Sequence, residues 1–247
     1  MKAIILAAGY ATRLYPLTRD IPKPLLPVAG KPNIEYILSH LLPVEDIDVV
    51  YIITNDKFYQ QFVEWEKGFS KKQHTDKKID IMNDGTSTNE SRLGSIGDID
   101  LVISKKGLDD DILIIAGDSL FDFELNEMIS YFHEKNSSVL CAYRTSDIDI
   151  LRRRGVIKID NTNRIIDFKE KPKWPASDIA VPAIHIYKKD TLNLFGKYLS
   201  EGNNPDAPGY FVDWLYKKEP LYAYFFTGNC YDIGNAETYY KVNQIFS

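Results

Sequence analysis

The order of apolar and amphipathic segments in the first 145 residues constrains the fold of this chain most. Short apolar runs, as expected of strands covered on both faces, alternate with segments whose apolar residues recur at helical spacing. This alternation predicts a mostly parallel sheet with helices on both faces. The predicted strands are Ala3–Ala8, Val49–Thr54, Ile79–Met82, Ile112–Ala116 and Val139–Tyr143, and the predicted helices are Asn33–Leu42, Asp56–Gly68, Arg92–Lys105 and Glu124–Lys135.

The pattern changes in the second half of the chain. Closely spaced strands separated by turn residues predict an antiparallel addition that covers a substrate pocket. These strands are Gly155–Ile159, Arg164–Phe168 and Ile179–Tyr187, followed by helices Thr191–Leu199 and Tyr210–Lys217, strands Leu221–Phe226 and Cys230–Ile233, and a last helix Ala236–Phe246. We interpret the polar, basic stretch 69–78 as a solvated loop. A length of 247 residues favours one domain spanning residues 1–247. Its element pattern predicts a three-layer, Rossmann-like α/β fold with a mostly parallel mixed sheet.

Composition narrows the class of partner. A net charge of −5 argues against a nucleic-acid-binding surface. Cys141 and Cys230 have neither disulfide-framework nor metal-ligand spacing, which favours reduced thiols in a cytoplasmic protein. The sequence starts Met-Lys and leads directly into a predicted strand, so we expect no signal peptide. No apolar run approaches the roughly 20 residues of a membrane helix, and we therefore predict no membrane partner.

The first strand leads into a loop suited to phosphate. The apolar run ends at small residues and Gly9, after which a bend with exposed N–H groups should follow. Arg13 and Lys23 add positive charge, and Pro16 and Pro22 stiffen the chain between them. These features predict that the chain binds a nucleoside triphosphate.

Two segments of this region carry a family resemblance. They read Leu6-Ala7-Ala8-Gly9-Tyr10-Ala11-Thr12-Arg13-Leu14-Tyr15-Pro16-Leu17-Thr18 and Pro22-Lys23-Pro24-Leu25-Leu26-Pro27-Val28. Together they resemble the opening of the sugar-1-phosphate nucleotidylyltransferases. The resemblance implies that the loop wraps the triphosphate and that a sugar 1-phosphate attacks the α-phosphorus directly. The nucleotide-binding residues implied here are Leu6, Ala8, Gly9, Tyr10, Ala11, Thr12, Arg13 and Lys23.

A carboxylate at the end of a buried strand indicates a metal site. Asp118 follows Gly117 and the apolar run 113–116, and the carboxyl ends of such strands face the ligand crevice of α/β sheets. Mg²⁺ prefers hard oxygen ligands and usually takes one or two carboxylates plus substrate phosphates. The resemblance implies that Asp118 binds the metal, that Gly117 contacts the nucleotide, and that Asp232, in the Tyr-Asp-Ile-Gly context, is the second Mg²⁺ ligand.

The acceptor-binding residues are implied by a third motif. Residues 168–172 read Phe-Lys-Glu-Lys-Pro and resemble the family's Glu-Lys-Pro motif. The resemblance implies that Glu170 accepts hydrogen bonds from sugar hydroxyls and that Lys171 binds the sugar phosphate. It also implies that the backbone at Gly155 approaches the sugar. On this basis the nucleotide-binding part is about residues 1–145, and the acceptor-binding part is about 146–247.

The segment expected to read the base departs from the common family pattern. Asn83 can hydrogen-bond a base edge, and Arg92 stands near the start of a predicted helix that offers N–H groups and a cation. A capped loop without base readout explains the same residues equally well. Ala11 replaces the usual second glycine of the phosphate loop. The base and the sugar therefore stay open.

These observations predict a Mg²⁺-dependent transfer of a nucleotidyl group from an NTP to a sugar 1-phosphate, with release of pyrophosphate. The residues assigned to catalysis are Arg13, Lys23, Asp118 and Lys171. Two alternatives remain: a transferase for another phosphorylated acceptor such as phosphocholine, and a catalytically silent regulatory subunit of the same fold. Whether the chain forms a homo-oligomer is also open.

Overall fold

The structure is a computed structural model that describes residues 1–73 and 75–246, with the backbone alone at Asp232. The strands are β1 (Lys2–Leu6), β2 (Pro27–Val28), β3 (Lys31–Pro32), β4 (Val49–Thr54), β5 (Lys78–Asn83), β6 (Ile112–Ala116), β7 (Ser119–Phe121), β8 (Ser138–Arg144), β9 (Gly155–Ile159), β10 (Ile165–Glu170), β11 (Ile179–Val181), β12 (Ile184–Tyr187), β13 (Leu221–Phe225) and β14 (Cys230–Asp232). The α-helices are α1 (Asn33–Leu41), α2 (Asp56–Gln73), α3 (Gly94–Lys106), α4 (Leu125–Lys135), α5 (Ile148–Leu151), α6 (Asn193–Ser200), α7 (Pro208–Leu215) and α8 (Ala236–Phe246).

Contacts within the chain define two compact units. One comprises Met1–Gly94, Ile115–Asp122 and Gly228–Ser247, and the other comprises Ser95–Ile114 and Phe123–Thr227. The single domain over 1–247 stays a prediction.

The first unit contains a parallel sheet. β1 pairs with β4, and β4 pairs with β5, each in parallel register. Residues 3–5 of β1 are completely buried, as the unbroken apolar run requires. A separate apolar cluster packs residues of the segment after β1 against the last helix, and its buried members are Leu14, Leu26, Val28, Leu120, Ile233, Tyr239 and Val242. The loop after β1 is therefore backed by a hydrophobic core.

The second unit contains the antiparallel strands. Its order is β10-β9-β11-β8-β12, all antiparallel neighbours, and β13 pairs with β8 in parallel. Phe195 of α6 stacks on Phe211 of α7 with ring centroids 4.0 Å apart, and Tyr187 of β12 meets Phe195 edge-on at 5.3 Å. Such aromatic pairs fix α6 and α7 against the end of β12.

The predicted α/β class is confirmed, with a sheet that mixes parallel and antiparallel strands. The antiparallel character of the strands after Gly155 is also confirmed. Among the described residues, no helix is both long and apolar enough to span a membrane. Cys141 and Cys230 do not form a disulfide with each other.

Several predicted boundaries were wrong, among them the helix predicted over Tyr210–Lys217, which is α7 (Pro208–Leu215). The stretch taken as a loop from residue 69 continues α2 to Gln73, because Phe69 is buried on the same helix as Phe58 and Phe62; His74 lies outside the described residues. The strand predicted over 179–187 is interrupted between β11 and β12 at Pro182, which has no N–H for a ladder. The helix predicted from Arg92 begins at Gly94.

Buried His185 makes the stability of the protein sensitive to acid. Its Nδ1 lies 2.9 Å from the Tyr187 hydroxyl and its Nε2 lies 3.1 Å from the carbonyl oxygen of Pro182. Burial lowers the pKa of His185 from 6.5 to about 4. The unfolded chain therefore takes up the proton first as the pH falls from about 6.5 to about 4, and the folded state loses stability across that window.

We expect the free energy of unfolding of the wild type to fall by about 2 kcal/mol between pH 7 and pH 5 from this group. His185→Gln should reduce the loss by that amount in urea titrations at the two pH values. His133→Gln, at an exposed position on α4, is the control and should keep the wild-type loss. An equal loss in wild type and H185Q would contradict the assignment.

Candidate functional site

Two side chains donate hydrogen bonds to the backbone of the loop after β1. Asn55 Nδ2 donates to the carbonyl oxygen of Ala8 at 2.8 Å, and Thr18 Oγ1 donates to that of Ala11 at 2.7 Å. Within the described part of the chain, the backbone N–H groups of residues 9–11 donate to no acceptor. Free N–H groups on a supported loop are suited to bind phosphate oxygens.

Ala11 stands where the family usually has a second glycine, and its backbone has a conformation that glycine adopts easily. Its φ is 48° and its ψ is 40°, in the left-handed region. An alanine there is strained relative to glycine. The departure from the family pattern thus changes the residue but keeps a left-handed backbone at the start of the 3₁₀ helix Thr12–Leu14.

Lys23 and Asp118, separated by 95 positions in the sequence, form an ion pair. Lys23 begins a short 3₁₀ helix, Lys23–Leu25, between Pro22 at its N-cap and Pro24 within it. The side chains of Lys23 and Asp118 are 13% and 30% exposed, so the pair is accessible from solvent without being fully hydrated. Arg13 is exposed on the neighbouring 3₁₀ helix and is not part of this ion pair.

The backbone just before Asp118 is fixed on both sides. Gly117 N–H donates to the carbonyl oxygen of Leu6 at 2.9 Å, and Asn33 Nδ2 donates to the Gly117 carbonyl oxygen at 2.9 Å. A Cβ on residue 117 would lie 2.8 Å from the Leu6 oxygen and 3.0 Å from Pro24 Cγ. Only glycine therefore allows this approach, which places Asp118 beside the end of β1.

Asn33 was not identified from the sequence, although it is completely buried. Replacing it with leucine removes the donor to Gly117, and we expect the free energy of unfolding to fall by about 1–3 kcal/mol. Urea denaturation measures this, with Asn126→Leu at an exposed site on α4 as the control. A loss no larger than that of the control would show that the hydrogen bond does not support the site.

The pairing of β14 with β7 determines the backbone position of Asp232. In the antiparallel pair β14·β7, Asp232 lies opposite Ser119, the residue after Asp118. The side chain of Asp232 lies outside the described part of the structure. The register nevertheless places the backbone of Asp232 opposite the residue that follows Asp118.

The segment predicted to read the base has its own hydrogen bonds. Asn83 Nδ2 donates to Asp56 Oδ1 at 2.7 Å, and Asn83 Oδ1 accepts from Gly85 N–H at 2.8 Å. Arg92, two residues before α3, donates from Nη1 to the carbonyl oxygen of Asn89 at 2.7 Å. The Asn83 side chain is thus bound to Asp56 of α2 and to Gly85, and Arg92 is bound within its own segment.

The predicted acceptor residues lie together in the second unit. Glu170, the last residue of β10, pairs in register with Gly155, the first residue of β9. Glu170 Oε1 lies 3.4 Å from Lys171 Nζ, and the glutamate side chain is only 8% exposed. Lys171 has a φ of 47°, and its N–H donates to the Arg154 carbonyl oxygen at 3.1 Å. The lysine side chain is about half exposed, and the carboxylate beside it is buried.

The charge state of Glu170 is set by opposing effects. Burial raises the pKa of Glu170 most strongly, while Lys171 and the Arg154 guanidinium lower it. A buried carboxylate with a neighbouring ammonium is arranged to accept hydrogen bonds from hydroxyl groups and to leave the ammonium available to an anion.

The comparisons with known proteins concern the whole chain. The family model described as "Nucleotidyl transferase" matches residues 2–247. A Sulfolobus acidocaldarius protein named "Putative mannose-1-phosphate guanyltransferase" is 31% identical over 249 residues, covering 98% of this chain and 62% of that protein. The chain thus spans about three fifths of that relative.

Two solved structures share the fold. A "Putative Glucose-1-Phosphate Thymidylyltransferase" from Bacillus anthracis, in complex with sucrose, has a TM-score of 0.82 at 25% identity, covering 99% of this chain and 94% of that one. A UDP-glucose pyrophosphorylase complexed with UDP-glucose has a TM-score of 0.83 at 22% identity, with 99% and 97% covered. At its low identity, the second likeness concerns the fold alone.

Proposed function

Since this chain belongs to the nucleotidyl transferase family, we propose that it transfers a nucleotidyl group from an NTP to a sugar 1-phosphate and releases pyrophosphate. The relative named for mannose-1-phosphate guanyltransferase and the thymidylyltransferase structure support this reaction class. The base and the sugar of this chain's own substrates are not part of the proposal. We place the reaction in the cytoplasm, because the spacing of Cys141 and Cys230 in the sequence is not that of a disulfide framework.

The nucleotide-binding role is assigned to the first unit. The N–H groups of residues 9–11 would hold phosphate oxygens, and Arg13 and Lys23 would neutralise the triphosphate and the leaving pyrophosphate. Leu6, Ala8, Thr12 and Gly117 would complete the surroundings of the nucleotide. Asn83 and Arg92 would approach the base only after exchanging their present partners, Asp56 and the Asn89 carbonyl.

Asp118 and Asp232 would hold Mg²⁺. The Asp118 carboxylate is a hard oxygen donor, 30% exposed, and strand register sets Asp232 close to it in the backbone. Among the described residues there is no group of three or more His, Cys, Asp or Glu that could hold a metal. A Mg²⁺ site of two carboxylates completed by substrate phosphates does not need one. When bound, the ion supplies charge neutralisation at the phosphates.

The acceptor-binding role is assigned to the second unit. Glu170 would accept hydrogen bonds from sugar hydroxyls, Lys171 would bind the sugar phosphate, and the backbone of Gly155 would lie against the sugar. An oxygen of the sugar phosphate then attacks the α-phosphorus in line with the bond to the leaving pyrophosphate. This reaction needs positioning and charge neutralisation and no protein nucleophile.

The observation that carries the proposal is the ion pair of Lys23 with Asp118, beside residues 9–11, whose backbone N–H groups donate to no acceptor among the described residues. A pyrophosphate-release screen tests it, with ATP, GTP, CTP, UTP and dTTP against a panel of sugar 1-phosphates in the presence of Mg²⁺. We expect turnover with at least one pair and none without the sugar phosphate. Folded protein that is inactive with every pair would contradict the proposal, and turnover with phosphocholine alone would favour the other acceptor class.

A further inference from the structure

The carboxylate of Glu170 lies against the backbone of α7. A Cβ on Gly209, the second residue of that helix, would overlap Glu170 Oε2 and lie 2.7 Å from Glu170 Cδ. Helical backbone does not by itself require glycine, and alanine is the better helix former. The main reason for glycine at position 209 is therefore the neighbouring carboxylate, and Phe168 Cζ lies 3.1 Å from the same Cβ position.

A second glycine borders the same oxygen. A Cβ on Gly155 would lie 3.4 Å from Glu170 Oε2 and 2.5 Å from Phe168 Cζ. Glu170 Oε2 thus sits in a slot formed by the backbones of Gly155 and Gly209, which we call the glycine slot. The other carboxylate oxygen, Oε1, faces Lys171 Nζ at 3.4 Å.

The two oxygens of Glu170 therefore have different surroundings. One lies in the glycine slot and the other faces the ammonium group, so the orientation of the carboxylate is determined by packing as well as by charge. A polar group that must present one oxygen to a ligand needs its rotamer fixed by neighbours of this kind.

We propose that Gly209 is a positioning residue for the acceptor: by lacking a side chain it lets Glu170 take the orientation in which it binds sugar hydroxyls. This inference rests on the proposed function, which assigns that role to Glu170. Gly209 would act through Glu170 and not by touching the nucleotide. Its replacement should therefore change the kinetics toward one substrate only.

The test begins with Gly209→Ala. The added methyl group displaces the far end of a flexible side chain, so the fold should remain and the carboxylate should move. We expect the KM for the sugar 1-phosphate to rise about tenfold or more, as for a lost charge-assisted hydrogen bond. The KM for the NTP and the melting temperature should stay close to wild type. Gly68→Ala, at a helical glycine of α2 with no atom within 4 Å of its Cβ position, is the matched control.

Shortening the carboxylate side chain separates positioning from a general structural effect. Glu170→Asp retracts the carboxylate by one methylene and removes the overlap with residue 209. In the E170D background, we expect G209A to change the acceptor KM by less than about twofold. The difference from its effect in the wild-type background is the coupling that a double-mutant cycle measures for groups in contact. A tenfold effect in both backgrounds would show that residue 209 does not act through Glu170.

The outcomes distinguish this inference from the function on which it rests. Wild-type turnover with an unchanged acceptor KM in G209A overturns the positioning role and leaves the proposed function standing. If no substrate pair supports turnover by the wild type, the proposed function fails. The slot is then tested by the ¹³C resonance of the Glu170 carboxyl, which G209A should move and G68A should not. No movement in either variant overturns the contact.

Discussion

Asp118→Asn is expected to lower kcat by about 10²–10³-fold, since the amide keeps the shape of the side chain but loses the charge that would hold Mg²⁺. The affinity for NTP should change by less than about threefold, because the loop N–H groups, Arg13 and Lys23 remain. Steady-state rates of pyrophosphate release measure kcat, and NTP titration of the inactive variant measures binding. The concentration of Mg²⁺ needed for half-maximal rate should also rise.

The control for this change is Asp109→Asn. Asp109 precedes β6, the strand that Asp118 follows, and its side chain is 89% exposed. Its Oδ1 lies 3.9 Å from Lys189 Nζ, as in a weak surface ion pair. It should leave kcat within about twofold of wild type. A D118N enzyme with the wild-type kcat and Mg²⁺ dependence would remove Asp118 from the mechanism.

Lys171→Met is expected to raise the KM for the sugar 1-phosphate by about 10–100-fold, because it removes a charge-assisted hydrogen bond to the phosphate and keeps the length of the side chain. The KM for NTP should stay close to wild type. Loss of the ammonium also removes a group that lowers the pKa of Glu170. In the variant, the Glu170 carboxyl should therefore take up its proton at a higher pH than in wild type. As the pH is lowered, we expect acceptor binding by the variant to weaken earlier than in wild type.

Lys169→Met, two positions earlier on β10, is the matched control. Lys169 is exposed, and its Nζ lies 3.0 Å from Asp213 Oδ2. Its ion-pair partner is thus Asp213 and not Glu170. Its replacement should change the acceptor KM by less than about twofold. Equal effects of K169M and K171M would indicate a general contribution of positive charge and contradict a specific phosphate contact at Lys171.

Local sequence patterns were sufficient for much of the fold. The unbroken apolar runs of β1, β4 and β6 identified buried strands, since such runs have few alternative structures in an α/β pattern. The Asn55 side chain caps α2, because its Oδ1 accepts from Phe58 N–H at 3.1 Å. The end of α2 was missed because the polar residues after Phe69 masked the helical spacing of its buried aromatic residues.

Individual residues of the candidate site could be predicted from their own type and local sequence, but the contacts between them could not. Lys23 and Asp118 could be named separately, but their pairing depends on tertiary contacts across 95 positions. Asn33 carries a signal that could have been used, a polar residue at the start of a predicted helix with buried neighbours. Gly209 carries none, because a glycine after proline is typical of a loop, and its role arises only from the approach of Glu170.

The most direct test of direct transfer to a sugar phosphate is ³¹P NMR of the reaction. The substrate pair with the greatest turnover in the screen is incubated with the protein and Mg²⁺, and all phosphorus species are followed together. Direct transfer predicts an NDP-sugar and pyrophosphate in equal amounts, formed only when the sugar 1-phosphate is present. Formation of nucleoside monophosphate and pyrophosphate without the sugar phosphate would contradict it.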